Sequence, residues 1–195
     1  MNREAYEELK EKYGEMSSWA IWKQPTTSAK SNTGDLSVFN DDAILEKLNP
    51  DYVFVGLNCS STHGERHGEW HNFHSDYRYQ NDYKLRHALN GTKYWGAYIT
   101  DIIKMHAEVD SNKVARFLSA HPEVVEENIS LFEEEINLLG TKPVLIAMGD
   151  KTYEILCKYL GGKYVIVKIK HYSYTIGMEE YRKDTLSVLN SIEDD

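Results

Sequence analysis

Residues 52–57 read Tyr-Val-Phe-Val-Gly-Leu, and residues 143–149 read Pro-Val-Leu-Ile-Ala-Met-Gly. Both are short, continuous apolar runs with no in–out alternation. Such runs mark strands buried on both faces, as in a parallel sheet covered by helices on either side. Residues 94–99 and 164–169 have the same character, which predicts a sheet of four strands. Between the runs the period changes. From Pro122 onward, Val125, Ile129, Phe132, Ile136 and Leu139 are spaced 4, 3, 4, 3 along one helical face. Further helices are expected over 82–90, from Asp110 or Ser111 to Leu118, over 150–160 before Gly161-Gly162, and over 178–192. Strands alternating with helices predict an α/β protein, a three-layer α/β/α sandwich around a mostly parallel four-stranded sheet.

Around this frame, Tyr6, Leu9 and Tyr13 fall on one side of a short amphipathic helix, and residues 23–37 read as a surface loop. Together they make an N-terminal helical and loop extension of about 1–40 on a single domain spanning 1–195. Asp41 or Asp42 is expected to cap a helix holding Ile44, Leu45 and Leu48, which Asn49-Pro50 ends. Residues 58–81 are polar and aperiodic, and a loop of that length inside a compact domain is usually functional.

Composition narrows the class. Of 195 residues, 41% are hydrophobic and 27% charged, which places the chain among globular proteins. Acids outnumber bases 31 to 22, and the net charge of −9 argues against a non-specific nucleic-acid coat or a polybasic membrane binder. Two cysteines, Cys59 and Cys157, are too few for a disulfide framework, a four-cysteine zinc site or a cysteine-held iron–sulfur cluster. Seven charges in the first 13 residues are incompatible with a signal peptide there, and no apolar run approaches the roughly 18 residues of a membrane span. The expectation is a cytoplasmic protein with no membrane partner and no cofactor.

In open parallel sheets, ligands sit beyond the carboxyl ends of the strands. Read at those ends, the chain offers Gly56-Leu57-Asn58-Cys59-Ser60, Thr100-Asp101-Ile102-Ile103-Lys104, Gly149-Asp150-Lys151 and Lys170-His171-Tyr172-Ser173. In order and spacing these resemble the motifs of the uracil-DNA glycosylase superfamily. Gly56 to Ser60 is similar to the loop after that superfamily's first core strand, which puts Asn58 at the water-activating position. Tyr98-Ile99-Thr100-Asp101-Ile102-Ile103-Lys104 resembles its base-recognition segment, and Lys170 to Ser173 resembles its His-Pro-Ser loop. Phe73, in Asn72-Phe73-His74, is the candidate for the aromatic that stacks on the base. The resemblance spans roughly residues 50–175. It implies a glycosylase-like fold and a flipped nucleobase, from DNA or a smaller nucleotide-like ligand, held in a strand-end cleft. Catalytic roles fall to Asn58 and His171, and ligand contacts to Gly56, Leu57, Cys59, Phe73, Asp101 and Ser173.

Departures from the pattern carry chemical meaning. Cys59 and Tyr172 stand where the superfamily has loop-stiffening prolines. Asp101 stands where it has an asparagine. An amide matches the donor and acceptor of uracil, whereas an ionised carboxylate offers acceptors only, so uracil is not the expected base. Two rival readings accompany this one. His63, His67, His71 and His74 would share one face if their segment were helical, as in a metal-dependent hydrolase, although Gly64 and Gly68 oppose a helix. Alternatively, the fold serves as a non-enzymatic nucleotide or nucleic-acid binding module.

Overall fold

The computed structural model describes residues 1–58, 68–104, 106, 108 and 110–193. The chain runs α1 (Arg3–Tyr13), β1 (Ser17–Trp19), β2 (Asn49–Asn58), α2 (Asp82–Leu89), β3 (Ala97–Ile103), α3 (Ser111–Ala120), α4 (Pro122–Asn137), β4 (Val144–Met148), α5 (Asp150–Leu160), β5 (Ile166–Ile169) and α6 (Met178–Asn190). Helix starts follow local chemistry. Asn2 accepts from the Ala5 amide at 2.8 Å to cap α1, Asp110 accepts from the Asn112 amide at 2.9 Å to cap α3, and Pro122 opens α4.

The protein is α/β. Its sheet has five strands in the order β1-β3-β2-β4-β5, rather than the four expected. The β2 to β5 strands are parallel, and the additional β1 lies antiparallel on the outer side of β3. Three residues, Ser-Ser-Trp, make too short a run to stand out in sequence. Their hydroxyls are satisfied locally, Ser17 donating to the Tyr13 carbonyl and Ser18 to that of Trp70. The segment 41–48 forms only short 3-10 turns, and Asn49-Pro50 begins β2 instead of ending a helix. A proline is tolerated there because the ladder skips from Asn49 to Val53.

Alternation along the strands sorts the core into two layers. Val53, Val55, Leu145 and Ala147 pack with α1, α3, α4 and α5, while Phe54, Ile99, Ile146 and Met148 pack with α2 and α6. Between β3 and α4 lies a buried ion pair, Lys104 Nζ to Glu135 Oε2 at 2.5 Å. The other Glu135 oxygen accepts from the Tyr98 and Thr100 hydroxyls at 2.8 Å. No helix among the described residues is long and apolar enough to cross a membrane.

Candidate functional site

The β2→β3 connection steps one way across the sheet, and β3→β4 steps back over β2. The carboxyl edge between β2 and β4 is therefore the topological switch point where such sheets take ligands, and β3 flanks it on the far side of β2. Gly56 of β2 lies opposite Asp101 of β3. Asp101 was expected just past its strand. Instead β3 starts and ends later than the apolar run, and Asp101 is a buried interior residue. A Cβ added to Gly56 would collide with Asp101 Oδ1 and stand 3.7 Å from Phe73 Cε1. Only a glycine lets the carboxyl and the aromatic ring meet over β2. Three residues far apart in sequence are thereby gathered at one point.

Phe73 arrives there on a strained backbone. Trp70 and Phe73 have φ of 62° and 65°, a region that bulky side chains rarely occupy. The surroundings hold both in place. The Trp70 amide donates to the Gly14 carbonyl at 2.7 Å, its indole donates to the Tyr6 hydroxyl at 2.9 Å, and the Trp22 indole donates to the Phe73 carbonyl at 3.1 Å. Asn72, between them, donates to both the Met16 carbonyl at 2.8 Å and Asp101 Oδ2 at 3.1 Å. The first 22 residues thus clamp the loop that carries Phe73 to the sheet edge.

Burial pushes the Asp101 carboxyl up to about 6, with the Asn72 amide and Lys104 pulling the other way and Glu135 and Asp82 adding to the rise. Asp82, at the start of α2, is likewise buried and raised to about 6. It accepts from the Ser75 amide at 2.8 Å and from the Tyr172 hydroxyl. Burial, with both carboxyls close by, holds the Tyr172 phenol well above the ordinary value. Two acids displaced in the same direction beside a strained loop are the arrangement expected of a binding or catalytic cleft. Asn72, Asp82 and Tyr172 did not emerge as site residues from sequence, because they lie on aperiodic segments or helix starts. The one signal was Tyr172, in place of the resemblance's proline.

His171 follows β5 and lies beside the end of β4: a Cβ on Gly149 would stand 3.8 Å from the His171 Cβ. Its Nδ1 accepts from the Ser173 amide at 3.2 Å and lies 2.7 Å from the Ser173 hydroxyl. Desolvation lowers its pKa to about 4, so the ring is neutral at pH 7, with the proton on Nε2. Asn58 ends β2 opposite Ile103, two residues beyond the Gly56–Asp101 pair. Its amide donates to the His106 and Glu108 carbonyls at 3.1 and 2.8 Å. Leu57 turns toward the first core layer, and Ser173 is exposed. Cys59 lies outside the described residues.

Of the four histidines, His63 and His67 also lie outside the described residues. The described remainder, residues 68–74, is turn rather than helix, so spacing alone does not align His71 with His74. His74 is fully buried between the Trp22 and Phe39 rings, with Nε2 3.3 Å from the Trp19 carbonyl. Burial drives its pKa down to about 3. Among the described residues there is no cluster of three or more metal-ligating side chains. No family model, curated protein or solved structure matches the chain.

Proposed function

We propose that this chain is a uracil-DNA-glycosylase-like protein that takes a flipped nucleobase at the carboxyl edge of its sheet and hydrolyses the N-glycosidic bond, with a base other than uracil as its preferred substrate. The observation that carries this reading is the meeting of Gly56, Asp101 and Phe73 near the carboxyl end of β2. Phe73 is the aromatic wall. Asp101, anchored through Oδ2 by Asn72, presents carboxylate acceptors to the base edge. An ionised carboxylate is matched by two adjacent donors, as in the N1–H and exocyclic amine of guanine, and faces uracil O4 unfavourably.

The chemistry follows from the remaining two residues. Asn58, whose amide nitrogen donates to two carbonyls, is the residue that positions the attacking water. That water adds to the sugar carbon as the base leaves with the bonding electrons, and the proton the water loses goes to the departing base anion, giving the free base and a sugar hydroxyl. The neutral His171 donates from Nε2 to the charge developing on the departing base.

The test is base release from oligonucleotides carrying uracil, hypoxanthine, xanthine, guanine or alkylated bases, with the Asp101→Asn variant run in parallel. The expected result is release of a donor-rich base by the unmodified protein and a shift toward uracil in the variant. Binding without release would leave a nucleobase-binding module. Neither binding nor release of any base sinks the proposal.

A further inference from the structure

The chain is acidic, and ten of its described lysines are paired with carboxylates. One surface combines cations outside such pairs with exposed aromatic rings. Directly after Phe73 and His74 the chain presents Tyr77, Arg78 and Tyr79. Tyr77 and Tyr79 are 60% and 66% exposed, and their rings meet edge to face at 5.5 Å. The Arg78 guanidinium lies over the Tyr79 ring at 4.6 Å. Lys30 Nζ donates to the Arg78 carbonyl at 2.6 Å and sits 4.9 Å from the Tyr83 ring. Lys84, close enough to Lys30 for the two charges to repel, donates to the carbonyl of Tyr174, whose ring is 58% exposed. Neither Arg78 nor Lys30 has a carboxylate partner among the described residues, and Lys84 lies buried beneath them. Three of the four large hydrophobic side chains most exposed among the described residues, Tyr77, Tyr79 and Tyr174, lie here.

We infer that this surface binds single-stranded nucleic acid. Exposed tyrosines give faces on which unpaired bases stack in any sequence, and interleaved, unneutralised cations meet the phosphates. A protein partner would be served as well by the aromatic rings but would have no general use for cations left without anions. The patch is continuous with the candidate site. Ser75 binds Asp82, and Tyr174 lies two residues beyond Tyr172. A strand lying across Tyr77 and Tyr79 would therefore run beside the segment that carries Phe73. The inference stands on this surface alone, and it supplies the nucleobase reading with the polymer that carries the base.

The test is fluorescence anisotropy with a labelled oligothymidine of about 20 nucleotides, titrated with salt. Two phosphate contacts, at Arg78 and Lys30, give a slope of about −1.4 in log affinity against log salt. Tyr77→Ala and Tyr79→Ala each weaken binding about tenfold. Arg78→Glu weakens it further and flattens the salt slope. Lys142→Glu, an equal charge change at the amino edge of the sheet before β4, leaves affinity nearly unchanged. Absence of salt-dependent binding overturns the inference. So does a loss with Lys142→Glu equal to that with Arg78→Glu, or duplex binding as tight and insensitive to the tyrosine changes, because paired bases offer no faces to stack. Oligothymidine binding does not involve Asp101 recognition, so failure of the base reading and failure of this surface are separate results.

Discussion

Strand β3 buries charge on both of its faces and treats the two in opposite ways. Toward α4, Lys104 and Glu135 neutralise each other, and Tyr98, Thr100 and the Asp101 carbonyl add hydrogen bonds to the pair. Toward α2 and the loop, Asp101 has an amide for a partner, a second acid within electrostatic reach, and a pKa raised to about 6. The first is a closed network that joins a helix to the sheet. The second is left under tension, as groups kept for a ligand often are. The same strand therefore separates structural charge from candidate functional charge by whether each charge is matched.

Breaking the closed network should have the largest effect. Glu135→Gln or Lys104→Met leaves a buried charge without its opposite, a loss of about 3–5 kcal/mol. Urea unfolding at neutral pH measures it, and the double variant Lys104→Met with Glu135→Leu should recover part of the loss. A single-variant loss below about 1 kcal/mol would show that the pair is not isolated from water.

Gly56→Ala comes next. Its methyl group displaces the Asp101 carboxyl, a crowding effect of about 1–3 kcal/mol. Repeating the change in an Asp101→Ala background should remove most of the penalty. Additive losses in that double-mutant cycle would mean that Gly56 is not reserved for Asp101.

Asp101→Asn should move stability in the other direction. The folded-state carboxyl is raised from 3.8 to about 6, so between those values the folded protein binds more protons than the unfolded chain. Stability is fully present below the lower value, falls as pH rises through the window, and stays reduced above it. The asparagine keeps the Asn72 contact and has no charge to desolvate. It should be more stable than the parent by on the order of 1–2 kcal/mol at pH 7.5 and no more stable at pH 4. Thermal melts at the two pH values check this. An advantage equal at both would place its origin outside ionisation.

The contrast between the two faces also explains what could be read from sequence. β2, β4 and the α4 stripe follow from local pattern, because burial on both faces or one dictates their residues. β3 starts three residues later and ends four residues later than the apolar run, because Gly96 turns at φ 88°, where a Cβ would collide with the Lys47 carbonyl, and pairing along the strand starts at Ala97. The pairing of Gly56 with Asp101 depends on register between strands, which no local period encodes. The motif order named both residues but not that they touch. Asn72 was invisible for a related reason. Its role arises from a loop held by α1, β1 and Trp22, and its two partners are 56 and 29 residues away.

Asn72 gives the smallest effect and the sharpest probe of the unmatched face. Its amide is the largest influence pulling the Asp101 carboxyl back from the rise that burial imposes. Asn72→Leu removes that donor and keeps a similar side-chain volume, whereas alanine would admit water and confound the reading. Without the amide the ionised form loses its hydrogen bond, so the Asp101 midpoint should rise above about 6 by up to about one unit. Carbon-13 NMR of the aspartate carboxyls against pH, with Asp101→Asn to assign the signal, reads the midpoint directly. A midpoint that stays put or falls would mean that water, not Asn72, holds the Asp101 charge, and the face taken here as strained would be solvated like any surface cleft.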